Sequence, residues 1–410
     1  MNKKFFSLIA IVILYSGCNN IKTNKTVVSQ TETASLTLLE DAVPIVYQGH
    51  IYIPSYVDSI SGNFVFDTGA DGLYLDSTFF ANNPFRKFKF VKKMLPGAGA
   101  GNPQKVIVIT DTVSFKFENY SNNLSFIPVF LLKPILGDFA DGLFGKKYFS
   151  EQILEINYLH EYIRFHNSID AVDISEYTKI SMKKEDNRLL LPTTIQINDT
   201  VSIHDYLLLD IGAGGSISIT SATANKYNLS ATIAQKVPYY TKYGGVSGHS
   251  SSFNFRASFV EIGGYKLDEV VMDYSEDKSG AISSRNYAGL LGNNILERFY
   301  IIIDFVNNDL YLKPNSDYSN PFSFSKLGFK YVDRNVTMNA WIVTGFYKDS
   351  NAELAGLKID DKIISVNGID IHQIPYKEQG KFWKETDKVV LIVLRKDEEK
   401  IIEFDLKYVL

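Results

Sequence analysis

The chain carries two copies of one sequence pattern, and this repeat constrains the fold more than any other feature. The apolar run NFVFD ends at Asp67 and the run YLLLD ends at Asp210, and each is followed two residues later by Gly-Ala. Each copy continues to Gly, two apolar residues and Gly, at 142–145 and 289–292, and then to a hairpin-like stretch. Because two otherwise divergent copies keep these motifs in register, we expect a pseudo-two-fold axis that brings Asp67 and Asp210 together.

Short runs of β-branched and aromatic residues, separated by Gly, Asn, Asp and Pro, fill most of the chain beyond residue 40. This pattern is typical of a mainly β protein. A length of 410 residues favours two or three domains. The formal net charge is -4, with acids and bases interspersed and no long basic block in the sequence, so the composition argues against nucleic acid as a partner.

The sequences FDTGAD with GLFG, and LDIGAG with GLLG, resemble the two half-sites of aspartic proteases, most closely those of the retropepsin-like kind. The resemblance covers residues 43–313. It implies a bilobal aspartic-protease fold of two pseudo-symmetric β lobes, at 41–170 and 185–316. Pepsin-like enzymes also carry both half-sites in one chain, so the resemblance implies a protease that is active as a monomer. It assigns Asp67 and Asp210 as the catalytic pair.

A pair of carboxylates can hydrolyse a peptide bond without a metal or another cofactor. Two such groups a few ångströms apart share one proton, because ionising both is costly. The ionised group takes a proton from water, and the protonated group donates one to the substrate carbonyl oxygen. The resemblance therefore implies an endopeptidase that acts on peptides or unfolded proteins, in which Gly69 and Gly212 let each backbone turn beside its symmetry mate.

The residues that support the two catalytic loops match the family in part. In the family, a Thr or Ser after each catalytic Asp bonds to the backbone of the opposite loop; Thr68 can form this bond and Ile211 cannot. Ala70 and Ala213 stand where pepsin-like enzymes often have a hydroxyl that donates to the carboxylate, so we expect activity to extend toward mildly acidic or neutral pH. Asp71 matches an aspartate that binds the substrate backbone in the retroviral enzymes.

Two Gly-rich stretches, LPGAGAGNPQ at 95–104 and YGGVSGHSSS at 243–252, are candidates for flaps that close over substrate. The alternative is that both are ordinary hairpin loops. The sequence has no HExxH pattern, no P-loop and no complete calcium-binding loop, so other site chemistries fit it less well.

The N-terminus predicts export from a bacterial cell. Lys3 and Lys4 precede an apolar run that is short for a membrane span, which is typical of a signal peptide over residues 1–17. Cys18 is the only cysteine and follows YSG, which resembles the lipobox of bacterial lipoproteins. Lipidation would make residues 18–40 a polar tether to a membrane of the cell envelope, facing the periplasm or in the outer membrane. The alternative is a thiol that is discarded with an ordinary signal peptide.

After a linker rich in Pro and Asn, residues 322–410 resemble a PDZ domain. The most specific stretch, SNAELAGLKIDDKIISVNGIDI, has a short helix, an acidic turn and a hairpin around Asn-Gly. In this family, the residues that match Leu327, Gly328 and Phe329 form a loop that captures the C-terminal carboxylate of a peptide, which then adds as a strand to the sheet. The alternative is a module of the same shape that only packs on the protease.

The sequence leaves two functions open. The first is an envelope-anchored aspartic endopeptidase whose PDZ module selects or delivers substrate. The second is a catalytically inactive lipoprotein of the same fold that binds peptides or partner proteins. The presence of both Asp67 and Asp210 favours the enzyme, whereas Ile211 is the feature that favours the inactive alternative.

Overall fold

The computed structural model describes residues 41–95, 104–243 and 248–410. The predicted signal peptide, the tether with Cys18 and the central residues of both candidate flaps lie outside the described residues. The fold is mainly β, with 48% of residues in strands and 16% in helices, and this confirms the predicted class. Each helix in the described ranges is too short or too polar to cross a bilayer.

The first half of the repeat is built of short strands and two α-helices. Its strands are β1 (Val43–Pro44), β2 (Val46–Tyr47), β3 (Ile51–Val57), β4 (Ile60–Asp67), β5 (Leu73–Asp76), β6 (Phe90–Leu95), β7 (Gln104–Ile109), β8 (Val113–Phe117), β9 (Tyr120–Leu124), β10 (Ile127–Phe130), β11 (Gly142–Gly145), β12 (Ile153–Asn157) and β13 (Tyr162–His166). Its helices are α1 (Ser77–Asn82) and α2 (Lys133–Leu136). Helix α1 begins after Asp76, whose carboxylate accepts hydrogen bonds from the N–H groups of Thr78 and Phe79 at 2.6 and 3.1 Å.

The second half contains longer strands, of up to 13 residues. Its strands are β14 (Thr178–Ser181), β15 (Lys183–Glu185), β16 (Arg188–Gln196), β17 (Ser202–Leu209), β18 (Ile217–Ile219), β19 (Val237–Thr241), β20 (Ser250–Ile262), β21 (Tyr265–Ser275), β22 (Gly289–Leu291), β23 (Phe299–Asp304) and β24 (Asp309–Pro314). Its helices are α3 (Ser221–Lys226), α4 (Leu229–Thr232) and α5 (Asn293–Leu296). Helix α3 begins after Thr220, whose hydroxyl accepts a hydrogen bond from the Thr223 N–H at 3.2 Å.

The C-terminal module has its own core. Its strands are β25 (Phe329–Arg334), β26 (Ala340–Tyr347), β27 (Lys362–Val366), β28 (Ile369–Asp370), β29 (Lys388–Arg395) and β30 (Glu398–Asp405). Its helices are α6 (Asn335–Met338), α7 (Asn351–Leu354) and α8 (Gln379–Lys384). Trp341, Val343, Ile363 and Leu391 are fully buried in this core, so the module has the apolar centre expected of a separate folding unit.

Both halves contain the same three-strand arrangement. In the first half, β11 lies between β4 and β5, parallel to β4 and antiparallel to β5. In the second half, β22 lies between β17 and β18, parallel to β17 and antiparallel to β18. In the motif Gly-Φ-Φ-Gly, Φ is an apolar residue. In each half, the strand of this motif therefore lies between the strand that leads to the aspartate and the next strand along the chain.

A six-stranded sheet joins the two halves, with the order β1-β13-β12-β23-β24-β14. The hairpins that close the two halves meet at its centre, where β12 pairs antiparallel with β23. Leu154 lies opposite Ile303 and Ile156 lies opposite Ile301, and all four side chains are fully buried. Backbone hydrogen bonds and a shared apolar core thus fix one half against the other.

The strand that leads to Asp67 is buried on both faces. Phe64 and Phe66 point into a core shared by the two halves, where the Phe66 and Phe144 rings lie 5.4 Å apart between centroids. Val65 points the opposite way, into a smaller apolar cluster. Asp67 therefore stands at the end of a strand that packing holds in one position.

The C-terminal module extends the sheet of the second half. Strand β19 pairs antiparallel with β26, with Tyr239 opposite Tyr347 and Thr241 opposite Gly345. A Cβ on Gly345 would lie 2.7 Å from the Tyr240 carbonyl oxygen, so glycine is needed for this close approach. The candidate flap at 243–252 thus follows a strand that is paired with the module.

The first half also contacts the module, through the loop after α2. The Asp138 N–H donates to the Asp333 carbonyl oxygen at 2.8 Å. The Asp138 carboxylate pairs with Arg334 at 2.9 Å and accepts from the Thr337 N–H at 2.7 Å. The side chains of this ion pair are 3% and 13% exposed, so solvent screens it little. The module is therefore packed on both halves of the repeat.

Replacement of Asp138 by alanine is expected to loosen the module. The change leaves the Arg334 guanidinium, whose side chain is only 13% exposed, without its carboxylate partner, at a cost on the order of 3 kcal/mol. Hydrogen exchange of the β25 amides should accelerate, and thermal unfolding should begin at a lower temperature.

The control for this prediction is Asp387→Ala. Asp387 is 96% exposed in its ion pair with Lys326, and exposed pairs contribute about 0–1 kcal/mol. Equal effects of the Asp138 and Asp387 substitutions would contradict a role of Asp138 in holding the module.

Candidate functional site

The structure brings Asp67 and Asp210 together where the two halves meet. Asp67 is the last residue of β4, and Asp210 directly follows β17. The Asp67 carboxylate accepts hydrogen bonds from the N–H groups of Gly69 and Ala70, at 2.7 and 3.1 Å. The Asp210 carboxylate accepts one from the Gly212 N–H at 3.0 Å. Each carboxylate is thus fixed by the turn that follows it.

Each turn also presses its glycine against the opposite carboxyl group. A Cβ on Gly212 would lie 2.4 Å from Cγ of Asp67, and a Cβ on Gly69 would lie 3.1 Å from Oδ1 of Asp210. The first distance is far inside van der Waals contact, and the second is tight. Gly212 is therefore required for space, and a side chain at Gly69 would force its neighbours to shift by a few tenths of an ångström.

The two alanines of the site lie under the Gly-Φ-Φ-Gly strands. A Cβ on Gly145 would lie 2.0 Å from the Ala70 carbonyl oxygen, and one on Gly292 would lie 2.6 Å from that of Ala213. The last glycine of each motif therefore allows its strand to cross directly over the turn. This contact explains in physical terms why the two motifs remain in register in both halves.

Thr68 forms hydrogen bonds across the two halves, whereas Ile211, at the equivalent position of the second half, has no hydroxyl with which to do so. The buried Thr68 hydroxyl donates to the Leu209 carbonyl oxygen at 2.8 Å and accepts from the Ile211 N–H at 3.0 Å. Ile211 is fully buried among apolar side chains. The predicted difference between the two positions is therefore present, with one polar connection in place of two.

Two polar side chains that were not predicted from the sequence donate hydrogen bonds to the backbone of the two turns that carry the acids. Lys146 Nζ donates to the Thr68 carbonyl oxygen at 2.9 Å, and Asn293 Nδ2 donates to the Ile211 carbonyl oxygen at 2.7 Å. The Tyr158 hydroxyl in turn donates to Oδ1 of Asn293 at 2.9 Å. Lys146 and Asn293 each directly follow the last glycine of Gly-Φ-Φ-Gly. If the repeated motif had been read one residue further, both positions would have been noticed as polar residues beside the site.

The site raises the pKa of both acids, and that of Asp210 most. Burial raises the pKa of Asp210 well above its ordinary range, and the charge of Asp67 and a hydrogen bond between the two side chains add to it. Burial also raises the pKa of Asp67, while the N–H groups of Gly69 and Ala70 and the charge of Lys146 oppose the rise. The shared proton is therefore expected on Asp210, with Asp67 ionised.

A cleft of about 530 Å³ opens over the two acids. Side chains of the first half that line it are Tyr74, Phe130, Leu132 and Leu143. Side chains of the second half that line it are Arg188, Leu208, Ser284, Tyr287 and Leu290. The walls are mostly apolar and the acids lie at the base, which is the usual composition of a site for an organic ligand.

Two elements that the sequence did not indicate shape the cleft walls. The buried carboxylate of Asp76 accepts hydrogen bonds from the N–H groups of Leu132 and Lys133, at 2.9 and 3.1 Å, and so fixes the wall of the first half. The segment 280–287 of the second half contributes Ala281 to the lining, and the Tyr287 hydroxyl donates to its carbonyl oxygen at 2.8 Å. The contacts of Asp76 join residues more than fifty positions apart in sequence and leave no local signal.

Asp71 lies beside the cleft. Its carboxylate accepts a hydrogen bond from Asn187 Nδ2 at 3.0 Å and lies 3.7 Å from Lys146 Nζ. It lines a second cavity of about 650 Å³, together with Tyr74 and Lys147. The Asp71 side chain is 67% exposed, so it remains accessible to a bound peptide. Its predicted role in substrate binding stays a prediction.

The loop of Leu327, Gly328 and Phe329 also borders a cavity, of about 250 Å³. Gly328 has φ +72°, and a Cβ there would lie 2.6 Å from the Ser350 side chain, so only glycine suits this position. The loop is held by the Tyr347 N–H, which donates to the Gly328 carbonyl oxygen at 3.0 Å. Leu327 and Phe329 line the cavity.

A comparison with protein families matches residues 342–379 to a model described as PDZ domain. The chain therefore contains a PDZ domain at these residues, and PDZ domains bind peptides. The match runs from β26 to the start of α8, so the loop at 327–329 precedes it. A search of curated proteins gives no significant match to the chain.

Replacement of Thr68 by valine is expected to destabilise the protein by about 1–3 kcal/mol. Valine keeps the shape of threonine, but it leaves the Leu209 carbonyl and the Ile211 N–H buried without their partner. Ile211→Val is the matched control, because it removes one methylene from the equivalent position of the other half, at about 0.5–1.5 kcal/mol. Urea unfolding measures both. A Thr68→Val protein destabilised by less than about 0.5 kcal/mol would contradict the connecting role of the hydroxyl.

Proposed function

We propose that this protein is an aspartic endopeptidase with a bilobal protease fold and a peptide-binding PDZ domain. The observation that carries the proposal is the pair Asp67 and Asp210, set on equivalent turns at the base of a cleft of about 530 Å³. The repeated three-strand arrangement and the sheet that joins the closing hairpins support the bilobal fold. Both half-sites lie in one chain, which supports activity as a monomer.

In the proposed reaction, Asp67 is ionised and Asp210 carries the shared proton. A water molecule gives a proton to Asp67 as its oxygen attacks the carbonyl carbon of the substrate, and Asp210 donates its proton to the carbonyl oxygen. When the resulting diol collapses, one hydroxyl returns a proton to Asp210, the C–N bond breaks, and Asp67 protonates the departing amine. The products are a new carboxyl terminus and a new amino terminus, and the two acids regain their starting state.

The proposed substrates are peptides or unfolded segments of proteins. The cleft lies between the halves, and Tyr74 lines both the cleft and the second cavity, which favours an extended chain over a compact ligand. The PDZ domain is proposed to select or deliver such substrates, or C-terminal segments of partner proteins. The cavity beside Leu327 and Phe329 supports this role, because carboxylate capture requires an accessible loop.

We also propose that the protein is exported and lipid-anchored at Cys18 in the cell envelope. The signal-like residues 1–17 and the polar stretch 18–40 support this proposal. A cysteine that stands alone in an exported protein cannot form an internal disulfide, and acyl chains would protect its thiol.

The second candidate function is peptide or protein binding without catalysis. Ile211 favours it, because one of the two polar connections between the loops is missing. Asn293 argues against it, since its amide holds the Ile211 carbonyl oxygen and stabilises the same loop. The two functions differ in one measurable property, hydrolysis that depends on both acids.

Asp67→Asn and Asp210→Asn are each expected to abolish peptide cleavage by the full-length protein. An amide can neither accept a proton from the attacking water nor transfer a proton to the substrate as a carboxylic acid does. Cleavage of an unfolded protein and a peptide library, followed by mass spectrometry between pH 3 and 8, measures this. Asp205→Asn is the control, since Asp205 precedes the same turn but lies outside the cleft lining. Cleavage that persists in either dyad variant would refute the assignment, and no cleavage by the wild type would favour the binding function.

A further inference from the structure

Arg188 brings a positive charge to the wall of the cleft. Among the described residues that line the cleft, Arg188 is the only charged side chain apart from Asp67 and Asp210. Its neighbours in the lining, such as Leu208 and Tyr287, are apolar or uncharged. A guanidinium in such surroundings favours a bound carboxylate, because the pair is partly removed from the screening of bulk water.

Arg188 is held in position before any ligand binds. It is the first residue of β16, and the hairpin with β15 fixes its backbone. Its guanidinium lies 6.0 Å from the ring centroid of Tyr287. Tyr287 is only 4% exposed, so the ring is a fixed support. Binding of a carboxylate would therefore cost little side-chain ordering.

Nearby acids that could neutralise Arg188 are already paired. Glu185 lies opposite Arg188 in the hairpin, and its carboxylate pairs with Lys183. Asp71 is bound by Asn187. In the described ranges, no ion pair or side-chain hydrogen bond of Arg188 is found. The N–H donors of the guanidinium are thus available to a ligand in the cleft.

We infer that Arg188 binds a carboxylate of the substrate, so that the enzyme prefers peptides in which an Asp or Glu lies close to the scissile bond within an apolar segment. The inference rests on the proposed function of the same cleft. Arg188 acts here as a specificity-determining residue and takes no part in the proton transfers. A free C-terminal carboxylate has the same chemistry, so the source of the carboxylate has to be separated by experiment.

The experiment uses sets of peptides that differ only by Glu, Gln or Lys at each position from three before to three after a cleaved bond. At one position, the wild-type kcat/KM for Glu is expected to exceed that for Gln about tenfold or more. In Arg188→Gln this ratio should fall toward one, mainly through KM, and in Arg188→Glu the preference should move to Lys. Lys184→Gln, a change of an exposed cation on the same hairpin, should keep the wild-type ratio. Equal cleavage of Glu and Gln peptides at every position would overturn the inference while leaving the dyad intact.

C-terminally amidated copies of the peptides separate the two sources of carboxylate. A preference for Glu over Gln that survives amidation assigns the side chain. A fall in kcat/KM on amidation that is equal for the Glu, Gln and Lys peptides, and that is absent in Arg188→Gln, assigns the chain terminus and refutes the side-chain specificity. If the wild type cleaves no peptide, the proposed function fails, and binding of fluorescent Glu and Gln peptides decides the inference separately. Tighter binding of the Glu peptide that disappears in Arg188→Gln supports carboxylate recognition, and equal binding overturns it.

Discussion

The electrostatic cost of holding two carboxyl groups against each other is the constraint on which the rest of the structure depends. Asp67 and Asp210 repel when both are ionised, and burial increases that cost. Several elements keep them in place: the strand before Asp67, which is buried on both faces, the turns that pass each other closely at Gly69 and Gly212, and the sheet that joins the closing hairpins. Sharing of one proton relieves the repulsion, and a pair that shares a proton can both accept and donate one.

The two halves share an arrangement but differ in the polar groups that complete it. The Thr68 hydroxyl forms hydrogen bonds with the backbone at Leu209 and Ile211. The second half has Ile211 at the equivalent position, so the reciprocal hydrogen bonds to the first half are missing. Lys146 and Asn293 occupy the same position of the repeat, yet one carries a positive charge and the other does not. The Asp67 carboxylate accepts hydrogen bonds from two backbone N–H groups and the Asp210 carboxylate from one, which favours the negative charge on Asp67. The two halves thus surround the two acids unequally, and the roles proposed for Asp67 and Asp210 differ accordingly.

Motifs in the sequence were sufficient to predict the β class and the meeting of Asp67 with Asp210, because short-range signals encode both. A buried strand, a turn glycine and a repeated motif are visible within a few residues. Arg188 and the contact of Asp138 with the C-terminal module could not be predicted in this way, since their partners lie far away in sequence. Lys146 and Asn293 are an intermediate case, because their place in the repeat was visible while their hydrogen-bond partners were not.

Carbon-13 NMR of the aspartate carboxyl carbons, followed through a pH titration, is the most direct test of the shared proton. Asp67 and Asp210 are predicted to titrate as a coupled pair, with the second step well above the ordinary aspartate pKa of about 3.9. Because the charge of Asp67 contributes to the raised pKa of Asp210, Asp67→Asn should lower the pKa of Asp210. Two independent titrations near the ordinary value, unchanged for Asp210 by that substitution, would contradict the dyad.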